Sequence, residues 1–176
     1  MYIDVDLTPN PAARKFTLDR QIIKNGSKQF NSPEEAKGDL LAEKLFDLNG
    51  VVSVFYLSDF ITVTKDTDEG WRLTEEDVKK IIKENIDSAK SDEKKVQASS
   101  NEQIQKINEI LDDSVRPGLA MDGGGLEIVS LSDDLKLEVK YHGACGSCPS
   151  ATYATLQAIT FILKDNFHPD IEVVAV

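Results

Sequence analysis

The chain contains two cysteines, three positions apart, in the run Gly143-Ala144-Cys145-Gly146-Ser147-Cys148-Pro149-Ser150. A thiolate is a nucleophile and a soft metal ligand. Two intervening residues let both sulfurs converge on one metal centre, a spacing used by many zinc and iron–sulfur sites. The run falls between a strand end and a helix start. There the unpaired N–H groups and the helix dipole favour the thiolate of Cys148. Gly143, Ala144 and Gly146 are small, which leaves room for a bulky inorganic group and lets backbone N–H groups face it. Pro149 suits a first helical turn. A disulfide closing so short a loop would stabilise little, so metal or redox chemistry is the better account of the pair.

An iron–sulfur cluster usually takes four thiolates, and one chain supplies two. Two copies of the chain, exogenous thiols such as glutathione, or a site that is not a cluster would each resolve the shortfall. A dimer is the simplest, because C2 symmetry brings identical sites face to face. A cluster shared in this way lies near the surface, an arrangement suited to release rather than to permanent storage. Two rivals remain at this point. A thiol–disulfide exchange site also sets Cys-x-x-Cys at a helix N-terminus, although no tryptophan flanks this motif. Zinc could be held across a dimer by the same four sulfurs.

Other residues carry less chemistry. His142 is expected to alternate away from Tyr141 toward solvent rather than to act as a ligand. His168, before Pro169, reads as a favourable charge at a helix end when protonated. Arg116 and Asp122 flank a turn and are expected to pair with each other. Asp59 and the Thr8-Pro9-Asn10-Pro11 run read as turn chemistry. No Ser–His–Asp set, phosphate-cradling loop or paired catalytic carboxylates stands out, so the expectation is a binding protein and not an enzyme.

Bulk properties narrow the class further. The 176 residues carry a formal net charge of −11, with −4 up to residue 90 and −7 beyond it. Neither part offers the basic footprint of a nucleic-acid binder. No apolar run approaches the ~18 residues of a membrane span. The acidic start Met1-Tyr2-Ile3-Asp4-Val5-Asp6 reads as neither a signal peptide nor a transit peptide, and the expected location is cytoplasmic.

The elements that position the cysteines form two segments. The polar stretch 88–101 has one large apolar residue, Val96, and reads as a flexible linker. The first segment, residues 1–87, mixes strands and helices. A helix is expected from Ser32-Pro33-Glu34-Glu35 through Leu41, Leu45 and Leu48 to Asn49-Gly50. A hairpin follows, joining 51–55 to 60–64. A second helix is capped by Thr74 and buries Val78, Ile81, Ile82 and Ile86, with Trp71 as a core anchor. The second segment, 102–176, opens with the stripe Ile104, Ile107, Leu111 and Val115, which Pro117 ends or kinks. The turn Asp122-Gly123-Gly124-Gly125 precedes two strands, with Asp133-Asp134 between them. The second strand alternates through Leu135, Leu137, Val139 and Tyr141. A helix over about 150–166 with Ala151, Thr155, Ala158 and Ile162 on one face and a strand over 172–176 close the chain. The expected fold is α+β, two small domains, with the C-terminal one in the order α-β-β-α-β.

Several of these residues together resemble a known family. Val115-Arg116-Pro117, Leu119-Ala120 and Asp122-Gly123-Gly124, the cysteine run itself, and Thr155-Leu156 look like the NifU C-terminal (Nfu) domain. Thr8-Pro9-Asn10-Pro11, Lys15-Phe16, Leu45-Phe46, Gly50-Val51, Val54-Phe55, the run 59–65 and Trp71 resemble the Nfu N-terminal domain. The resemblance implies iron–sulfur cluster assembly and carriage. Cys145 and Cys148 would be the ligands of a [4Fe–4S] cluster, with [2Fe–2S] as the alternative, held between two subunits of a homodimer. Apo iron–sulfur client proteins and other cluster-assembly proteins are the implied partners, and the N-terminal domain is implied to serve partner binding or client choice. The family usually has a polar residue where Gly125 stands, and a second serine is common where Ala151 stands.

Overall fold

The computed structural model describes residues 1–89, 102–146 and 149–176, with the backbone alone for 149–152. The expected linker therefore lies outside the described residues apart from Ser88 and Ala89. The fold is α+β in two domains, each a sheet with helices packed on one face.

The N-terminal sheet comprises β1 (Ile3–Leu7), β2 (Ala13–Leu18), β3 (Ser27–Phe30), β4 (Val51–Leu57) and β5 (Phe60–Lys65). All its pairings are antiparallel, in the order β1-β2-β5-β4-β3. The expected hairpin is β4–β5, with Phe55 opposite Thr62 and Leu57 opposite Phe60. Helices α1 (Leu40–Phe46) and α2 (Trp71–Asn85) cover one face of this sheet. Phe16, Leu41, Leu45, Val54, Tyr56, Ile61, Val63, Trp71, Val78 and Ile82 form the core between them. Trp71 is the anchor expected, but it opens α2 itself, three residues before Thr74, because Gly70 at φ 74° turns the chain into the helix there.

The first expected helix start is corrected. Ser32 Oγ accepts from the N–H of Glu35, and Glu35 reaches back to the N–H of Asn31, yet these bonds close only a turn. Gly38, at φ 92°, breaks the path. Helix α1 starts at Leu40, capped by Asp39, whose side chain accepts from the N–H of Ala42.

In the C-terminal domain α3 (Glu102–Ser114) and the short α4 (Arg116–Met121) precede β6 (Gly124–Leu131), β7 (Lys136–Gly143), α5 (Pro149–Asn166) and β8 (Glu172–Ala175). The order expected, α-β-β-α-β, gains one element, the short α4, which has Pro117 in its first turn. β6 and β7 are antiparallel, and β8 runs parallel to β7. Leu135 is not in the strand as expected. It sits at φ 60° in the turn, and β7 begins one residue later.

The face of α5 that carries Thr155, Ala158 and Ile162 is not its most buried one. Ala158 is exposed, and the helix buries Ile159 and Leu163 with Leu156 partly covered. Apolar residues occur on several sides of this helix, with Phe161 left exposed, so spacing did not single out one stripe.

β5 does not alternate: all six of its residues are buried. Ile61 and Val63 face the domain's own core, while Thr62, at 0% exposure, is covered from the other side. The covering element is the C-terminal domain, whose strand β7 ends against the outer face of β4 and β5. The adjacent apolar pairs Phe55-Tyr56 and Phe60-Ile61 were the sequence sign of strands buried on both faces.

Candidate functional site

The antiparallel register puts Gly124 opposite Gly143 and Gly125 opposite His142. These four residues form the floor from which the cysteine loop leaves β7. The N–H of Ala144 donates to Gly123 O at 3.1 Å, and that of Gly146 donates to Gly143 O at 3.1 Å. Gly143 needs its glycine on two counts. Its φ is 63°, and an added Cβ would overlap Gly123 O and stand 2.7 Å from Phe55 Cδ1. Gly124 needs its glycine because a Cβ would stand 2.5 Å from the Cys145 sulfur.

Cys145 is 6% exposed and packs in the apolar cluster with Tyr141, Val139, Leu126 and Ile159. Its sulfur is therefore turned into its own domain in this arrangement. Cys148 lies outside the described residues, so the convergence of the two sulfurs is not part of the observed geometry. Tyr141 sits beneath Cys145, 8% exposed, and among the described residues its hydroxyl has no hydrogen-bond partner. Burial, followed by the nearby Cys145 charge, pushes the phenol up to about 12.

This sets a pH dependence. The folded chain holds the Tyr141 proton until about pH 12, whereas an unfolded chain releases it near 10. Stability is thus fully present below pH 10 and falls as pH rises toward 12. Tyr141→Phe removes both the proton and an unpaired buried hydroxyl. It is expected to leave stability at pH 7 unchanged or higher by about 1 kcal/mol and to flatten the alkaline loss. Urea titrations at pH 7, 10 and 11.5 check this, and an unchanged alkaline slope contradicts it.

Three expected roles are corrected. His142 does leave β7 on the face opposite Tyr141, but that face is not solvent. The ring is 7% exposed, stacks on Phe55 at 5.9 Å and 3°, and has Nε2 3.1 Å from Glu127 Oε2. Arg116 does not pair with Asp122. It donates to Asp112 and Asn108 on α3 and to Leu126 O on β6, tying these elements together. Asn10 is more than a turn residue, because its Nδ2 donates to Ala144 O at 3.2 Å, inside the cysteine loop. His168 donates its backbone N–H to Leu163 O at the end of α5, and its Nδ1 accepts from the N–H of Asp170.

Sequence reasoning missed Gln29 and Thr62. Gln29 Oε1 accepts from the N–H of Gly143 at 2.9 Å, and Thr62 donates to Gly123 O at 2.6 Å. Gly125, at the position where a polar residue is usual, has Phe55 Cζ 3.0 Å from where its Cβ would be. Its missing side chain lets the aromatic ring close on the strand.

Comparison with known proteins agrees with this two-part architecture. The family model for the scaffold protein Nfu/NifU N-terminal domain matches residues 3–89, and the model for the NifU-like domain matches 107–174. NifU-like protein 5, mitochondrial, of Arabidopsis thaliana is 28% identical over 93% of this chain and 63% of its own length. The NFU1 iron-sulfur cluster scaffold homolog, mitochondrial, of Homo sapiens is 32% identical over 98% of this chain and 70% of its own. The chain thus spans less than two thirds of the Arabidopsis relative. A NifU-like protein from Saccharomyces cerevisiae, solved by solution NMR, aligns with 48% of this chain and 76% of its own at TM-score 0.44 and 24% identity.

The relatives named here from Arabidopsis and human are mitochondrial proteins, which overturns the expectation of a cytoplasmic location. Acidity and the lack of a long apolar run describe how a surface is solvated, not the compartment that holds it. Among the described residues no helix is long and apolar enough to cross a membrane.

Proposed function

Since the chain belongs to the Nfu/NifU scaffold family, we propose that it is a non-catalytic carrier of iron–sulfur clusters, working at a mitochondrial location. Residues 1–87 and 102–176 act as its two domains, with 88–101 as the linker. Its cargo is a [4Fe–4S] cluster held by Cys145 and Cys148 of two chains, and it is passed to apo client proteins and other assembly proteins.

The observation that carries this reading is the glycine floor beside Cys145. Gly124 leaves no room for a side chain next to the sulfur, and Gly143 and Gly146 give the loop the backbone freedom to re-aim it. Among the described residues, no three His, Cys, Asp or Glu side chains converge on a metal position. The remaining donors in this proposal are Cys148 and the second chain.

Anaerobic reconstitution with iron and sulfide, followed by Mössbauer spectroscopy and a measurement of oligomeric mass, tests the proposal. The expected result is thiolate-ligated iron and sulfide in a dimer. A protein that retains neither, or that carries only colourless zinc after anaerobic purification, overturns it.

A further inference from the structure

We infer that Asn10, Gln29 and Thr62, on the domain that has no cysteine, are positioning residues of the cysteine site: they hold its loop closed with Cys145 turned inward, and the loop must be released for cargo to exchange. This rests on the carrier reading.

The three side chains come from separate places in the N-terminal domain, the β1–β2 turn, β3 and β5. Their bonds nevertheless converge on Ala144, Gly143 and Gly123, the residues framing Cys145. Gly123 O receives two donors at once, the Thr62 hydroxyl and the N–H of Ala144. Thr62 therefore steadies the carbonyl that pins the residue before Cys145. Asn10 then holds the same residue through its carbonyl, Ala144 O, in the peptide unit that leads into Cys145. Asn10 is 7% and Thr62 0% exposed, so water does not compete for these bonds.

In the loop held this way the Cys145 sulfur packs beside Gly124, inside the apolar cluster. A cluster shared between two chains needs that sulfur at a surface, so the held form cannot be the sharing form. The seam between the domains is built to open. Two open clefts of about 470 and 400 Å³ flank it at Gln29, Lys140 and His142, so solvent reaches the edge of the seam. Its bonds are polar, as in interfaces between domains that move.

The test uses the full chain, reduced and anaerobic, without metal. Iodoacetamide alkylation of Cys145 is timed by peptide mass spectrometry in wild type, Gln29→Ala, Gln29→Ala/Thr62→Val, and Gln29→Glu, which keeps the acceptor. Loss of the two bonds is expected to speed alkylation of Cys145 about tenfold and to speed hydrogen exchange at the Gly143 amide. Gln29→Glu is expected to stay at the wild-type rate. Gln29 lies on an edge strand with a half-buried side chain, so the single variant decides the matter if the double variant does not fold. A Cys145 rate unchanged in Gln29→Ala overturns the inference, even if wild type holds a cluster. A faster rate in a protein that binds no iron or sulfide upholds the positioning role and rejects the cargo.

Discussion

Cys145→Ala is expected to retain essentially no iron or sulfide after anaerobic reconstitution, where the wild-type chain retains about two irons, half of a four-iron cluster shared by two chains. The same loss is expected for Cys148→Ala. The change at Cys145 removes a single sulfur from an apolar cluster. Its stability cost should be about 1–2 kcal/mol, small against the usual 5–15 kcal/mol of a folded domain. Circular dichroism at 25 °C should therefore be unchanged, which separates loss of ligand from loss of fold. The dimer is expected to disappear with the cluster, because a ligand that binds only the assembled form stabilises it by mass action. Mass measurement of the reconstituted variant checks that. Iron and sulfide retained at the wild-type level in Cys145→Ala would remove this residue from the site.

The second large effect is expected at Gly143. Alanine there must adopt a left-handed backbone at φ 63° and place a methyl group 2.7 Å from Phe55 Cδ1. The left-handed conformation costs roughly 1–2 kcal/mol for an L-residue, and overpacking adds about 1–3 kcal/mol. Gly143→Ala should thus lose about 2–5 kcal/mol in urea unfolding. Gly118 supplies the contrast. It lies in α4 with nothing within 4 Å of its missing Cβ, and Gly118→Ala is expected to gain about 0.5–1 kcal/mol. Equal effects at the two glycines would show that the contact with Phe55 has no energetic weight. The Gly143 result also bears on the domain seam, because the methyl group pushes on the ring that stacks against His142.

The two effects reach one loop from opposite sides. Cys145 faces its own domain, beside Tyr141 and Gly124. Gly125 and His142 face the other domain, against Phe55. A strand end with side chains committed on both faces has little freedom until one face is released. That is why the N-terminal domain matters to a site to which it gives no cysteine.

Local signals in the chain were enough for much of this. The alternation of Leu137, Val139 and Tyr141 and the stripe from Ile107 through Leu111 to Val115 are short-range patterns, and each placed its residues correctly. Alternation even put His142 on the correct face of β7. What covers that face could not be read from it. The bonds that hold the cysteine loop join residues 61, 114 and 134 positions apart, and no periodicity of 2 or 3.6 reports on such distances. Thr62 and Gln29 look like ordinary strand residues for the same reason. The sequence by itself determined the residue types at the loop and the strand and helix on either side of it. The tertiary structure alone decided that Cys145 is turned inward and that the second domain holds it there, because that outcome depends on two sheet faces meeting across the whole length of the chain.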